Sequence, residues 1–174
     1  MHATDAELEV LAARGGAVAH CPSSNSALGS GLFPLLRHVG SGVPVALGSD
    51  VGAGTGFSLF KEGLQAYFMQ RLLGDDGLPL TPAHLLHLAT SAGARALGLG
   101  ERVGDLSVGK EFDAICLRPV RGTELDIGLR HTGSAEEALG KIFALASDAD
   151  VADVWIAGQQ IASGGFVRGQ AHRR

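Results

Sequence analysis

Residues 43–56 read VPVALGSDVGAGTG: five apolar residues in a row, an aspartate three places further on at Asp50, and then a glycine-rich loop. An apolar run of strand length with no polar alternation suits a strand buried on both faces, the situation in parallel sheets. The same texture occurs upstream at Ala17-Val18-Ala19-His20, where Cys21-Pro22 ends the run and Ser23 to Ser26 is expected to be a polar loop. Between the two runs, Leu32, Leu35, Leu36 and Val39 recur at helical spacing until Gly40 and Gly42. Downstream, a third helix starts near Phe57 and is expected over Leu59 to Leu73. Strand, helix, strand, helix is the order of an α/β fold whose parallel sheet is covered on both faces, as in a barrel or a doubly wound sheet. Two such units leave the closure of the sheet open.

On either side of this pattern the boundaries are marked by caps. Thr4 with Glu7 makes a capping box for a first helix from about Asp5 to Arg14, and Gly15-Gly16 stops it. Gly74 to Gly77 reads as a turn, and Thr81-Pro82 opens a helix in which Leu85, Leu88 and Ala89 share a face. A short helix is expected from Ala92 to Leu97. From Gly104 the texture changes to strands, with a helix between them: Phe112 to Leu117, a helix from Ser134 to about Leu145, and Val151 to Ile156 turning at Ala157-Gly158 into Gln159-Gln160-Ile161. That last pair has the spacing of a hairpin. The expected organisation is therefore two units, residues 1–103 and 104–174.

A chain of 174 residues can bury a core of useful size, and 45% apolar with 18% charged residues is the composition of a folded protein. The formal net charge of −4 and the lack of a basic cluster argue against nucleic acid as a partner. No stretch is apolar enough for a membrane span, and Met1 to Glu7 has no signal-peptide pattern, so a cytoplasmic protein is expected. Cys21 and Cys116 are expected to be small buried hydrophobes rather than a disulfide.

Asp50 stands at the carboxyl end of a strand, where α/β barrels assemble their active sites. A short acid there also serves as a turn or helix cap, and the residues alone leave both readings open. The stretches HCPSSNSALGSGLFPLL (20–36) and VPVALGSDVGAGTGFSLFKEGLQAYFMQ (43–70), followed by LHLATSAGARALGL (86–99), VGDLSVGKEFDAICL (103–117) and VWIAGQQI (154–161), resemble guanine deaminases of the amidohydrolase superfamily in that order. The resemblance implies a partial (β/α)8 TIM-type barrel, its last strands and helices, followed by carboxy-terminal strands of the amidohydrolase β-sandwich. It also implies zinc, a purine substrate and a homodimer. Asp50 matches the aspartate that ends the eighth strand, binds zinc and exchanges protons with the attacking water. Zinc lowers the pKa of a bound water to about 7, so that hydroxide can attack the ring carbon that carries the amino group.

His20 and Asn25 match a loop that shapes the site, with substrate contact as the candidate role; for His20 a hydrogen-bonded structural histidine is the competing reading. His2 lies next to, but not at, a substrate-contacting position of the family. His84 and His87 share a helix without a third ligand and read as a solvated face. The family's HxH pair, its further histidine and its proton-shuttling glutamate have no match here, so the chain is expected to be an inactive carboxy-terminal part, poorly soluble or self-associating because apolar faces lack their partners. Another deaminase or chlorohydrolase of the superfamily, and a non-catalytic subunit that kept the fold, are the alternatives.

Overall fold

The computed structural model describes residues 2–164 and 166–167. Helix α1 (Asp5–Ala13) begins with both halves of the Thr4–Glu7 capping box. Strand β1 (Val18–His20) and strand β2 (Val45–Leu47) pair in parallel, Val18 opposite Val45 and His20 opposite Leu47. They are joined through α2 (Pro22–Ala27) and α3 (Leu35–Gly40) and followed by α4 (Leu59–Leu72), α5 (Pro82–Ala89) and α6 (Ser91–Ala96). The polar loop expected over Ser23 to Ser26 is instead the body of α2. Pro22, at the first helical position, presets the backbone angle, and the support its serines need comes from elsewhere in the chain.

The core lies where the helices cover β2. Val45, Ala46 and Leu47 pack with Phe33, Leu35, Ala66, Leu80, Leu85 and Leu88 in one cluster. Each buried leucine or valine contributes about 1.5–3 kcal/mol relative to exposure. Gln70 is buried among these side chains and is satisfied at both ends, donating Nε2–H to Phe33 O at 2.9 Å and accepting Leu78 N–H at 3.1 Å. It ties the segment before α3 to the turn after α4.

The second sheet is antiparallel, in the order β3 (Ala114–Leu117), β4 (Val151–Ile156), β5 (Gln159–Ser163), β6 (Phe166–Val167). Ala157 and Gly158 both have positive φ, 49° and 75°, as a two-residue hairpin turn between twisted strands requires. Two helices lie between β3 and β4. One, α7 (Glu124–Arg130), was not expected from the sequence; Thr123 caps it through Asp126 N–H. The other, α8 (Ala135–Leu145), packs on α4, α5 and α7 and inserts Phe143 into the core of the first unit, edge-on to Phe60 at 5.8 Å. Phe143 of α8 thus belongs to the same apolar cluster as β2, with Leu139 packed against it. Among the described residues no helix is long and apolar enough to cross a membrane.

Candidate active site

At the carboxyl end of β2 the chain leaves the sheet through Gly48. Its N–H donates to His20 O at 2.9 Å, and a Cβ there would come within 3.0 Å of Cys21 Sγ. The two strand ends thus meet closely, and Asp50 emerges beside the first turn of α2. Asp50 has φ +49°, a left-handed conformation that costs most side chains on the order of 1 kcal/mol and that aspartate tolerates better than most. Its carboxylate is exposed and accepts the Ser24 hydroxyl at 2.7 Å. The glycine-rich loop then doubles back: Ala53 N–H and Gly54 N–H both donate to Asp50 O, and a Cβ on Gly54 would overlap Ser49 O, so only glycine fits.

Behind Ser24 stands an acid that sequence reading passed over. Glu62, on α4, is 1% exposed and accepts both donors of Ser23, the backbone N–H at 3.0 Å and the hydroxyl. Its neighbour Lys61 donates to Thr55 Oγ1 at 2.9 Å. Consecutive residues of one helix thus hold the first turn of α2 and the glycine-rich loop that follows Asp50. The Cys21 thiol, between them, is pushed above its ordinary pKa, first by burial and then by the negative charges of Asp50 and Glu62, which keeps it protonated. Both cysteines are free and half-buried rather than buried as expected.

The other expected residues are distributed differently. His20 is 1% exposed and stacks on Phe33 at 4.6 Å, with Phe33 in turn against the ring of His38. Neither ring nitrogen of His20 has a hydrogen-bond partner among the described residues, so it is buried but not the satisfied histidine of the structural reading. Burial, and then the nearby His38, lower its pKa to about 4, which keeps the ring neutral. Asn25 sits half-buried in α2 next to Ser24, its backbone N–H bonded to Cys21 O and its carbonyl accepting Ser30 N–H at 2.9 Å. His2 is exposed, ahead of α1 and its cap Thr4. His84 and His87 are exposed on α5, where His84 Nδ1 accepts Thr81 N–H as half of a capping box and His87 faces Arg95. The structure thus brings Asp50, Ser24, Asn25 and Cys21 together at one strand end, with Glu62 directly behind, and turns His20 into the helix layer.

The sequence pattern that defines the amidohydrolase family matches residues 1–161. The chain belongs to the amidohydrolase family. Within it, the chain is 61% identical over 158 residues to a probable guanine deaminase of Deinococcus radiodurans, covering 91% of this chain and 36% of that protein. Among solved structures, the guanine deaminase of E. coli superposes with a TM-score of 0.87 at 30% identity, over 93% of this chain and 37% of that one. An adenosine deaminase of Xanthomonas campestris, crystallised with bound zinc, superposes with a TM-score of 0.78 at 33% identity, over 95% of this chain and 36% of that one. The chain thus spans little more than a third of the length of the relatives it matches. For an amidohydrolase this length bears on the metal. Among the described residues no three His, Cys, Asp or Glu side chains converge as a metal-binding group. The residues of this segment do not by themselves fit a zinc ion, for which catalytic sites supply three protein ligands.

Proposed function

We propose that this chain is a segment of a guanine deaminase, an enzyme that hydrolyses guanine to xanthine and ammonia. In this reading β1 and β2 are the last two strands of a (β/α)8 barrel, and β3 to β6 belong to the sandwich beside it. The observation that carries the reading is the exposed carboxylate of Asp50, fixed by the Ser24 hydroxyl at the carboxyl end of a buried parallel strand. Among the described residues no ion pair engages Asp50, so one face of the carboxylate remains available to a reacting molecule. Its role is to accept a proton from the attacking water and return it to the departing amino nitrogen; the sum is guanine plus water giving xanthine plus ammonia. In a complete enzyme that binds zinc, Asp50 would be a ligand that this chain supplies; the described residues alone do not make up the set. Asn25, next to Ser24 in α2, is assigned the role of shaping the pocket for the purine. The assembly expected is a homodimer of the complete enzyme.

The 61% identity to a probable guanine deaminase supports guanine as the substrate. A second reading, deamination of an adenine-type ring, is favoured by the 33% identity to the Xanthomonas adenosine deaminase. The test combines this chain with the amino-terminal remainder of the Deinococcus relative and follows ammonia release from guanine and from adenosine. Xanthine formed from guanine supports the proposal. Turnover of adenosine alone moves the substrate to the second reading, and turnover of neither overturns both.

A further inference from the structure

Glu62 is a carboxylate at 1% exposure, and among the described residues no ion pair compensates it. Burying such a group is costly unless its oxygens are well used, and an apolar side chain of similar volume would fill the space as well. Both oxygens of Glu62 are spent on one residue, Ser23, whose backbone N–H and hydroxyl they accept. That residue is the second of α2, a helix with no side-chain cap of its own at Cys21. The next residue is Ser24, itself 1% exposed, whose hydroxyl donates to Asp50 Oδ2 at 2.7 Å. Glu62 therefore clamps the turn from which Ser24 reaches Asp50.

We propose that Glu62 and Ser24 form one positioning device for the Asp50 carboxylate: Glu62 fixes the first turn of α2, and Ser24 holds one oxygen of Asp50 so that the other faces the reacting centre. The inference rests on the deaminase reading above, since it gives the aspartate its task. Asp50 is itself in a left-handed conformation, at the start of a glycine-rich loop and exposed to solvent. A hydrogen bond from a buried hydroxyl reaches this exposed carboxylate from the neighbouring strand end. Neither Ser24 nor Glu62 transfers a proton in this scheme. The site loses alignment in the transition state when they are removed, while substrate binding is left as it was.

The experiment is steady-state guanine deamination by the complete enzyme containing this segment, with thermal melts to show that each variant folds. Ser24→Ala is expected to lower kcat about ten- to a hundredfold, the loss of one hydrogen bond to a charged group, with KM within about twofold of the parent. Ser24→Thr keeps the hydroxyl and Glu62→Gln keeps an acceptor for Ser23 N–H; both are expected to recover most of kcat. The double variant of Ser24→Ala with Glu62→Ala is expected to be no slower than the slower single one, because the two residues act in series. Parent-like kcat in Ser24→Ala, conservative variants no better than alanine, additive losses, or an effect confined to KM would each overturn the proposal. If Glu62→Ala does not fold, the Ser24→Ala and Ser24→Thr pair decides. Asp50→Asn separates the two claims. If it leaves turnover intact, the deaminase reading fails; if it abolishes turnover while Ser24→Ala is parent-like, only the positioning role fails.

Discussion

His20 should make the stability of this chain depend on pH in a way that a single substitution removes. Its ring is buried and, among the described residues, neither nitrogen is hydrogen-bonded; burial first and then the nearby His38 lower its pKa from 6.5 to about 4, so the folded protein resists protonating it. In the unfolded chain the ordinary value applies. Between these two values the unfolded state binds a proton that the folded state refuses, and stability therefore falls as pH drops from about 6.5 to about 4. Above that window the group has no effect, and below it the loss is complete. At 1.36 kcal/mol per pKa unit, the loss across the window is on the order of 3 kcal/mol. His20→Phe keeps a ring stacked on Phe33 and removes both nitrogens. At neutral pH its stability should lie within about 1 kcal/mol of the parent, relief of an unsatisfied group offsetting a slightly larger ring. The assay is urea unfolding of parent and variant followed by the fluorescence of Trp155, the single tryptophan. It is run from pH 7.5 down to about 4.5, at concentrations where the midpoint does not depend on concentration. Other titrating groups are common to both proteins and cancel in the difference. The two stability curves should diverge as pH falls, the variant holding the greater share. Parallel curves would refute the burial argument.

Three further outcomes follow from the same packing. Gly63→Ala on α4 would place a Cβ 2.6 Å from two ring atoms of Phe143; urea melts should show about 1–3 kcal/mol of destabilisation, outweighing the helix preference for alanine, and Phe143→Leu in the same background should recover part of it. The chain alone should take up no stoichiometric zinc in equilibrium dialysis followed by elemental analysis, because no three donor residues converge among the described ones; one tightly held ion per chain would contradict this. Size-exclusion chromatography of the isolated chain should show self-association, driven by apolar side chains such as Phe57, Leu97 and Leu72, exposed by 81%, 76% and 74%; a sharp monomer peak with a cooperative melt would contradict it.

The regular elements were largely legible because their signals are local. The apolar runs became β1 and β2, the Thr4 and Thr81 caps opened the helices they were read to open, and Ala157-Gly158 made the hairpin turn. Where the stabilising partner is distant, reading failed. Serine-rich residues 22–27 have weak helix preference, and what organises α2 is Glu62, 39 positions beyond Ser23. Glu62 itself follows Lys61 and looks, in the sequence, like half of a solvated charge pair. Alternation along β1 does put His20 and Ala19 on opposite faces, but which face meets the helices depends on Phe33, across the α2–α3 connection. The place of α8 was not legible for the same reason, since it packs on α4 and α5, far from it in the chain, as well as on its neighbour α7.

The most direct measurement is xanthine formation by the complete enzyme carrying Asp50→Asn beside the parent. The substitution keeps the size of the side chain and its acceptor oxygen for Ser24 while removing the charge and the basicity. Xanthine production should fall by at least about a hundredfold, the scale of a general base, with the folded structure preserved. Undiminished conversion of guanine by a folded Asp50→Asn enzyme would contradict the account.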